Sequence, residues 1–159
     1  MTTYDFQRLL FLFSFLFMVM DGTISLKEID LNKQIYSQIE MDEDIDYQTM
    51  VNRLIPGIQE NAPMIINESL QMLAEESLTE EDHILLMETA YDMIHADHQV
   101  NPLEWSFLLM IKNKLEISDT IFQREFSYDT SDSEIYIDDS AQLDDFFRSL
   151  DFSQLKPIE

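Results

Sequence analysis

Two short stretches of the chain carry the side chains best suited to chemistry. Asp21-Gly-Thr-Ile-Ser-Leu-Lys-Glu28 and Asp97-His-Gln-Val-Asn-Pro-Leu-Glu104 share the pattern D-x-x-[IV]-x-x-x-E. Carboxylate oxygens suit hard divalent ions such as Mg²⁺, Ca²⁺ or Mn²⁺. Asp21, Glu28, Asp97 and Glu104 are therefore candidate ligands of one cation, if the two stretches meet in space. A weaker candidate is the group His95, His98, Asp97 and Asp92, since imidazole with carboxylate accepts a transition metal such as Zn²⁺. The first stretch has no histidine at the matching positions. An EF-hand also ends D-G-x-I-x-x-x-E, but its first ligand positions would fall on Phe17 and Val19, or on Met93 and His95. Neither pair supplies the oxygens that Ca²⁺ needs there.

The same residues have a structural role. Ser25 and Asn101 are good N-cap residues, each followed three positions later by Glu28 or Glu104. This spacing predicts a capping box, in which the cap side chain takes the N3 amide and the Glu returns to the cap's own amide. Pro102 falls at N1, where its missing N–H matters least. Gly22 follows an apolar run and can take the left-handed conformation that ends a helix. Ile24 and Val100 then direct an apolar side chain inward. Each stretch is thus the turn of a helix-turn-helix unit.

A register shift of 76 residues aligns the units. Leu10 falls on Leu86, Ser14 on Ala90, Phe17 on Met93, Asn32 on Leu108, and Ile35 on Ile111. Fixed-period self-similarity is the mark of a repeated supersecondary unit. Leu9 to Met20, LLFLFSFLFMVM, is too short at twelve residues for a membrane span of ~20. Asp5 and the lack of a small-residue cleavage site argue against a signal peptide. The alternating phenylalanines imitate a buried strand, yet the partner stretch Glu80 to Ala96 has helical spacing, with Glu88 and Asp92 one turn apart. The first stretch is accordingly read as a helix buried on all sides.

The expected elements are helices over Thr3–Met20, Leu26–Met41, Tyr47–Leu54, Met64–Ser77, Glu80–Ala96 and Pro102–Leu115, with a short helix capped by Ser118. Asp42 to Asp46 is expected to be an acidic break, and Ile55 to Pro63 a linker, because it holds two of the four prolines and one of the two glycines. Met72 and Leu73 are among the expected core residues of the fourth helix. The fold class is all-α: one compact domain over 1–126 made of two pseudo-repeats. An acidic extension over 127–159 follows, expected to be partly ordered or packed on the domain. Residues 129–145 hold seven acids and no Lys or Arg.

Composition removes several functions. The 159 residues include no cysteine, which excludes disulfides, thiolate metal sites and cysteine nucleophiles. Two glycines cannot build a P-loop or a dinucleotide fingerprint, and no G-x-S-x-G elbow is present. An enzyme is not expected. A net charge of −23 repels phosphates, so nucleic acid is a poor partner and a basic protein a good one. From Leu54 to Ile111 there are eleven acids and no Lys or Arg.

Two D-G-x-[IV]-[ST]-x-x-E units about 75 residues apart in an all-helical chain resemble the TerB-like family of bacterial tellurite-resistance proteins. Asp21, Gly22, Thr23, Ile24, Ser25 and Glu28 carry the likeness, with Asp97, Val100, Asn101, Pro102 and Glu104; His98 stands where the second glycine would be. The resemblance covers about residues 5–120. It implies a compact cytoplasmic helical domain of a bacterial stress-response system, without enzymatic activity, whose paired acidic motifs are suggested to chelate metal. Two functions follow as expectations: a non-catalytic acidic interaction or scaffold module, and alternatively a divalent-cation binder.

Overall fold

The computed structural model describes residues 3–20, 22–39, 45–75, 77–96, 101–125 and 146–158. Among the described residues six helices are formed, in chain order α1 (Thr3–Val19), α2 (Leu26–Ser37), α3 (Tyr47–Glu75), α4 (Glu80–Ile94), α5 (Pro102–Lys114) and α6 (Asp119–Glu125). A single helical turn over 146–149 begins the C-terminal segment. No strand occurs among the described residues. The all-helical expectation holds.

α1 is the central element. It packs against α2, α3 and α4, and every residue from Phe13 to Met20 is buried. That all-round burial explains how Phe11, Phe13, Phe15 and Phe17 can alternate in a helix: each direction around the axis meets another helix. Phe13 and Phe17 reach the Phe107 ring of α5 at centroid distances of 5.9 and 4.9 Å. On another side Phe11 lies 5.2 Å from Tyr36 of α2 and 6.5 Å from Tyr47 of α3. α5 is nearly as deep, buried from Glu104 through Lys112, and it packs on α4 and α3. No helix among the described residues is long and apolar enough to cross a membrane.

The expected linker at Ile55 to Pro63 is helical instead. α3 runs through it, with a single non-helical residue, Asn61 (φ −155°, ψ 77°). The cause is a continuous apolar stripe: Val51, Ile55, Ile58, Ala62, Ile66, Leu70 and Leu73 are all buried and recur at helical spacing. Burial of that stripe outweighs the local breakers. Asn61 restarts the helix, its Oδ1 accepting the Met64 N–H at 3.2 Å, which places Pro63 in a first turn where proline is tolerated. Asp46 caps the N-terminus of α3 by accepting the Thr49 N–H at 2.7 Å. Bonds from the Thr49 N–H and hydroxyl hold its carboxyl below the usual carboxylate range. Met87, Met93 and Met110 are buried, while Met64 and Met72 are 48% and 39% exposed, so Met72 does not take its expected place in the core. Those two lie off the apolar stripe of α3.

α5 ends in a left-handed residue that is not glycine. Glu116 has φ +56°, the Ile117 N–H bonds the Lys112 carbonyl at 3.1 Å, and the Glu116 N–H bonds Asn113 at 3.1 Å. This crossed pairing is a Schellman ending, at which glycine is preferred. The buried Lys112 runs to the face of Phe122, its Nζ 5.8 Å from the ring centroid, and so ties α6 to α5. Glu116→Gly is expected to raise stability by about 1 kcal/mol by removing the left-handed Cβ strain. Urea unfolding of the two chains measures it, with an unchanged m-value expected.

Candidate functional site

The first turn is built as its residues require. Gly22 has φ +86°, and its N–H bonds the Val19 carbonyl at 2.9 Å, closing α1. Ser25 opens α2 with a complete capping box: its hydroxyl accepts the Glu28 N–H at 3.2 Å, and Glu28 Oε1 accepts the Ser25 N–H at 3.1 Å. Glu28 is only 2% exposed. Ile24 packs against the core. A second capping box, Thr79 with Asp82, opens α4.

The second turn differs in detail. Asn101 caps α5, but its Oδ1 accepts the Leu103 N–H at 2.8 Å, one position earlier than the expected box. An asparagine side chain is one atom longer than serine's, and its acceptor settles on N2. Glu104 is buried at 3% exposure. His95 forms the C-cap of α4, with Nδ1 2.8 Å from the Tyr91 carbonyl and its ring 4.1 Å from the Tyr91 ring. Asp21, Asp97 and His98 lie outside the described residues. Among the described residues, no three His, Cys, Asp or Glu side chains gather as a metal would need. Glu28 and Glu104 are buried carboxylates in the first turns of α2 and α5.

Two polar constellations escaped the reading of the residues. The first lies in the core. Asn32 of α2 donates from Nδ2 to Ser14 Oγ of α1 at 2.7 Å and accepts the Tyr47 hydroxyl of α3 at 2.6 Å. Ser14 donates onward to the Phe11 carbonyl at 2.8 Å. Ser14 and Asn32 are fully buried. Burial, and secondarily the charge of Asp30, pushes the Tyr47 phenol well above its ordinary range. The network joins three helices at one point. Its signal in the sequence was Ser14, the one polar residue in LLFLFSFLFMVM, matched by Asn32 where the aligned unit has Leu108.

The second constellation holds the C-terminal segment. Gln59 Nε2 donates to the carbonyls of Phe152 (2.9 Å) and Leu155 (3.1 Å). Gln48 Nε2 and Asn52 Nδ2 both donate to the Ile158 carbonyl, at 2.9 and 3.1 Å, and Asn52 Oδ1 accepts the Ile158 N–H at 2.8 Å. Phe146, Phe152 and Leu155 of this segment are buried. Asp151 shapes the approach by accepting both the hydroxyl and the N–H of Ser153, at 2.6 and 3.0 Å, which keeps its carboxyl below the usual range. The Asp151 carbonyl in turn lies over Gly22, where an added Cβ would stand 2.6 Å from it. Between the first turn and this segment is a cavity of about 400 Å³ bordered by Ile24, Leu26, Ile29, Leu155, Pro157 and Ile158.

The exposed acids form the remaining feature. Glu60, Glu68 and Glu75 on α3, and Glu80, Glu81, Glu88 and Asp92 on α4, are all exposed, along a stretch of chain without Lys or Arg. Comparison with protein-family models, with curated proteins and with solved structures finds no match to this chain.

Proposed function

We propose that the chain is a non-catalytic acidic interaction module that engages a basic protein partner. The observation that carries this reading is the set of exposed carboxylates, Glu60, Glu68 and Glu75 on α3 and Glu80, Glu81, Glu88 and Asp92 on α4, within a stretch of sequence that holds no basic residue. On a chain of net charge −23, exposed carboxylates steer basic surfaces toward the protein and raise their association rate. The proposal extends to a TerB-like domain of two pseudo-repeats acting in a bacterial stress-response assembly. Its support is the pair of helix-turn-helix units, α1–α2 and α4–α5, with N-caps at Ser25 and Asn101.

A divalent-cation site on Asp21, Glu28, Asp97 and Glu104 is the second reading, favoured by the burial of both glutamates. Against it, Glu28 is already used by its capping box. Calorimetry with Mg²⁺, Ca²⁺, Mn²⁺ and Zn²⁺ at physiological salt separates the two, because ionic strength screens diffuse attraction. The expected result is weak heat that fades with salt and is unchanged in Asp21→Asn and Asp97→Asn. A saturable micromolar site lost in those variants overturns the interaction-module reading in favour of the metal.

A further inference from the structure

We propose that the cavity between the first turn and the C-terminal segment is a binding site for a small aliphatic carboxylate, with Lys156 as its counter-ion. The site shares no residue with the exposed carboxylates of α3 and α4, so it stands or falls apart from the interaction-module reading.

Two walls make the cavity. Ile24, Leu26 and Ile29 line it from the turn and the start of α2, and Leu155, Pro157 and Ile158 line it from the C-terminal segment. Both walls are held. The Ser25 capping box fixes the first. Gln48, Asn52 and Gln59 of α3 fix the second through the main chain of Phe152, Leu155 and Ile158. The volume of about 400 Å³ lies in the lower part of the ~300–1,000 Å³ range of small-molecule sites, which are mostly apolar with a few polar groups. Leu26 at the border is 80% exposed, an aliphatic side chain that the fold itself leaves uncovered. A ligand with an aliphatic body would cover it and fill the space between the walls.

Charge selects the head group. The chain has 32 acids against 9 Lys and Arg, yet no carboxylate lines this cavity, and its one ionisable lining residue is Lys156. Two acids of the same elements are engaged elsewhere: Glu28 accepts the Ser25 N–H, and Asp151 accepts the N–H and hydroxyl of Ser153. Lys156 is exposed, so its stem can lie along the apolar wall while the ammonium meets an anion in water. The charge of −23 acts from further off and is screened beyond ~8 Å at physiological salt. The lining therefore decides the sign of the ligand. A ligand touching both walls binds only while the segment is docked, and so holds it down.

The test is calorimetry of the full chain with sodium octanoate at physiological salt, which is expected to show one saturable site. Butyrate is expected to bind at least about tenfold more weakly, because it brings fewer methylenes to bury. Lys156→Glu and Leu26→Asp each set a carboxylate against the ligand's own, and each is expected to weaken octanoate at least about fivefold. Both positions are exposed, and an acid suits the first turn of a helix, so these variants keep the fold. Octan-1-ol, which has the same chain without the charge, is expected to bind the unaltered chain and Lys156→Glu alike. In the unaltered chain, octanoate at ten times its Kd is expected to slow hydrogen exchange of the Ile158 amide about tenfold; this amide bonds Asn52 Oδ1 and reports on the docked segment without any variant. No saturable octanoate site, or Ile158 exchange indifferent to octanoate, overturns the proposal. So does octanoate binding unchanged in Lys156→Glu, or an equal loss of octanol there, since neither leaves Lys156 a counter-ion. A saturable octylammonium site as tight as that for octanoate, surviving added salt, overturns the assignment to an anion.

Discussion

Gly22→Ala is expected to destabilise the fold by about 2–4 kcal/mol, the range typical of a substitution that meets both backbone strain and a steric clash. Two terms add. At φ +86° a Cβ is strained by ~1 kcal/mol or more. The new methyl would also stand 2.6 Å from the Asp151 carbonyl oxygen, which is backbone and cannot rotate aside as a side chain would. The C-terminal segment must lift, taking Phe152 and Leu155 out of their buried sites. For a chain of this size each kcal/mol lowers Tm by ~2–4 °C, so thermal unfolding should fall by roughly 5–15 °C, with faster proteolysis after residue 150. Gly57→Ala is the control. Its Cβ would meet only the flexible Ile65 Cδ1, at 3.5 Å, and an alanine within a helix is worth about 0.5–1 kcal/mol over glycine. Gly22→Asn separates the two terms, because asparagine tolerates the left-handed conformation but still carries a Cβ. If Asn restores most of the stability, strain dominates; if it is as poor as Ala, the contact with Asp151 does.

Asn32→Leu is expected to cost about 2–4 kcal/mol although leucine suits a buried helical position, since a buried polar group stripped of its partner costs ~1–3 kcal/mol. The substitution takes a donor from Ser14 and the acceptor from Tyr47 at once, leaving the phenol only its long contact with Met18 Sδ at 3.8 Å. The triple variant Ser14→Ala, Asn32→Leu, Tyr47→Phe removes every member together and should recover most of the loss, because replacing both sides of a hydrogen bond by apolar groups is close to neutral. Such strong non-additivity identifies residues of one network. Denaturant unfolding of the single and triple variants gives the cycle, and equal losses in both would show that the network is not the cause. The same phenol sets an alkaline limit. The folded chain holds the Tyr47 proton more tightly than the unfolded one, whose phenol ionises near pH 10. Its stabilising contribution is complete below that pH and declines as pH rises above it. Tyr47→Phe should flatten that decline.

Much of this architecture was legible in the residues. Ser25 with Glu28 announced a helix start that the structure places at Leu26, because a capping box is a local device needing no tertiary help. Gly22 announced its left-handed φ for the same reason. Ile55 to Pro63 misled because proline and glycine are also local signals, while what keeps α3 helical is the burial of Ile55, Ile58 and Ala62 against distant parts of the chain. Asn101 was recognisable as a cap, but whether its oxygen meets N2 or N3 depends on side-chain length within a turn. Asn52 and Gln59 were invisible as ligands of Ile158 and Leu155, since about a hundred residues separate the partners and a glutamine on a helix resembles any solvated side chain. Glu28 and Glu104 were found as polar landmarks, and their burial required the fold.

The depth of α1 bears on how the protein comes to be made. Its phenylalanines are shielded chiefly by helices that appear later in the chain, and Phe17 meets its partner ring only at Phe107. At ribosomal speeds of ~5–20 residues per second, ninety residues take roughly 5–20 s to emerge. Throughout that interval the nascent chain carries an apolar helix whose final neighbours do not yet exist. The acids between Leu54 and Glu104 leave the ribosome in the same window, so the uncovered apolar helix is accompanied by a growing like charge, which opposes contact between unfinished chains.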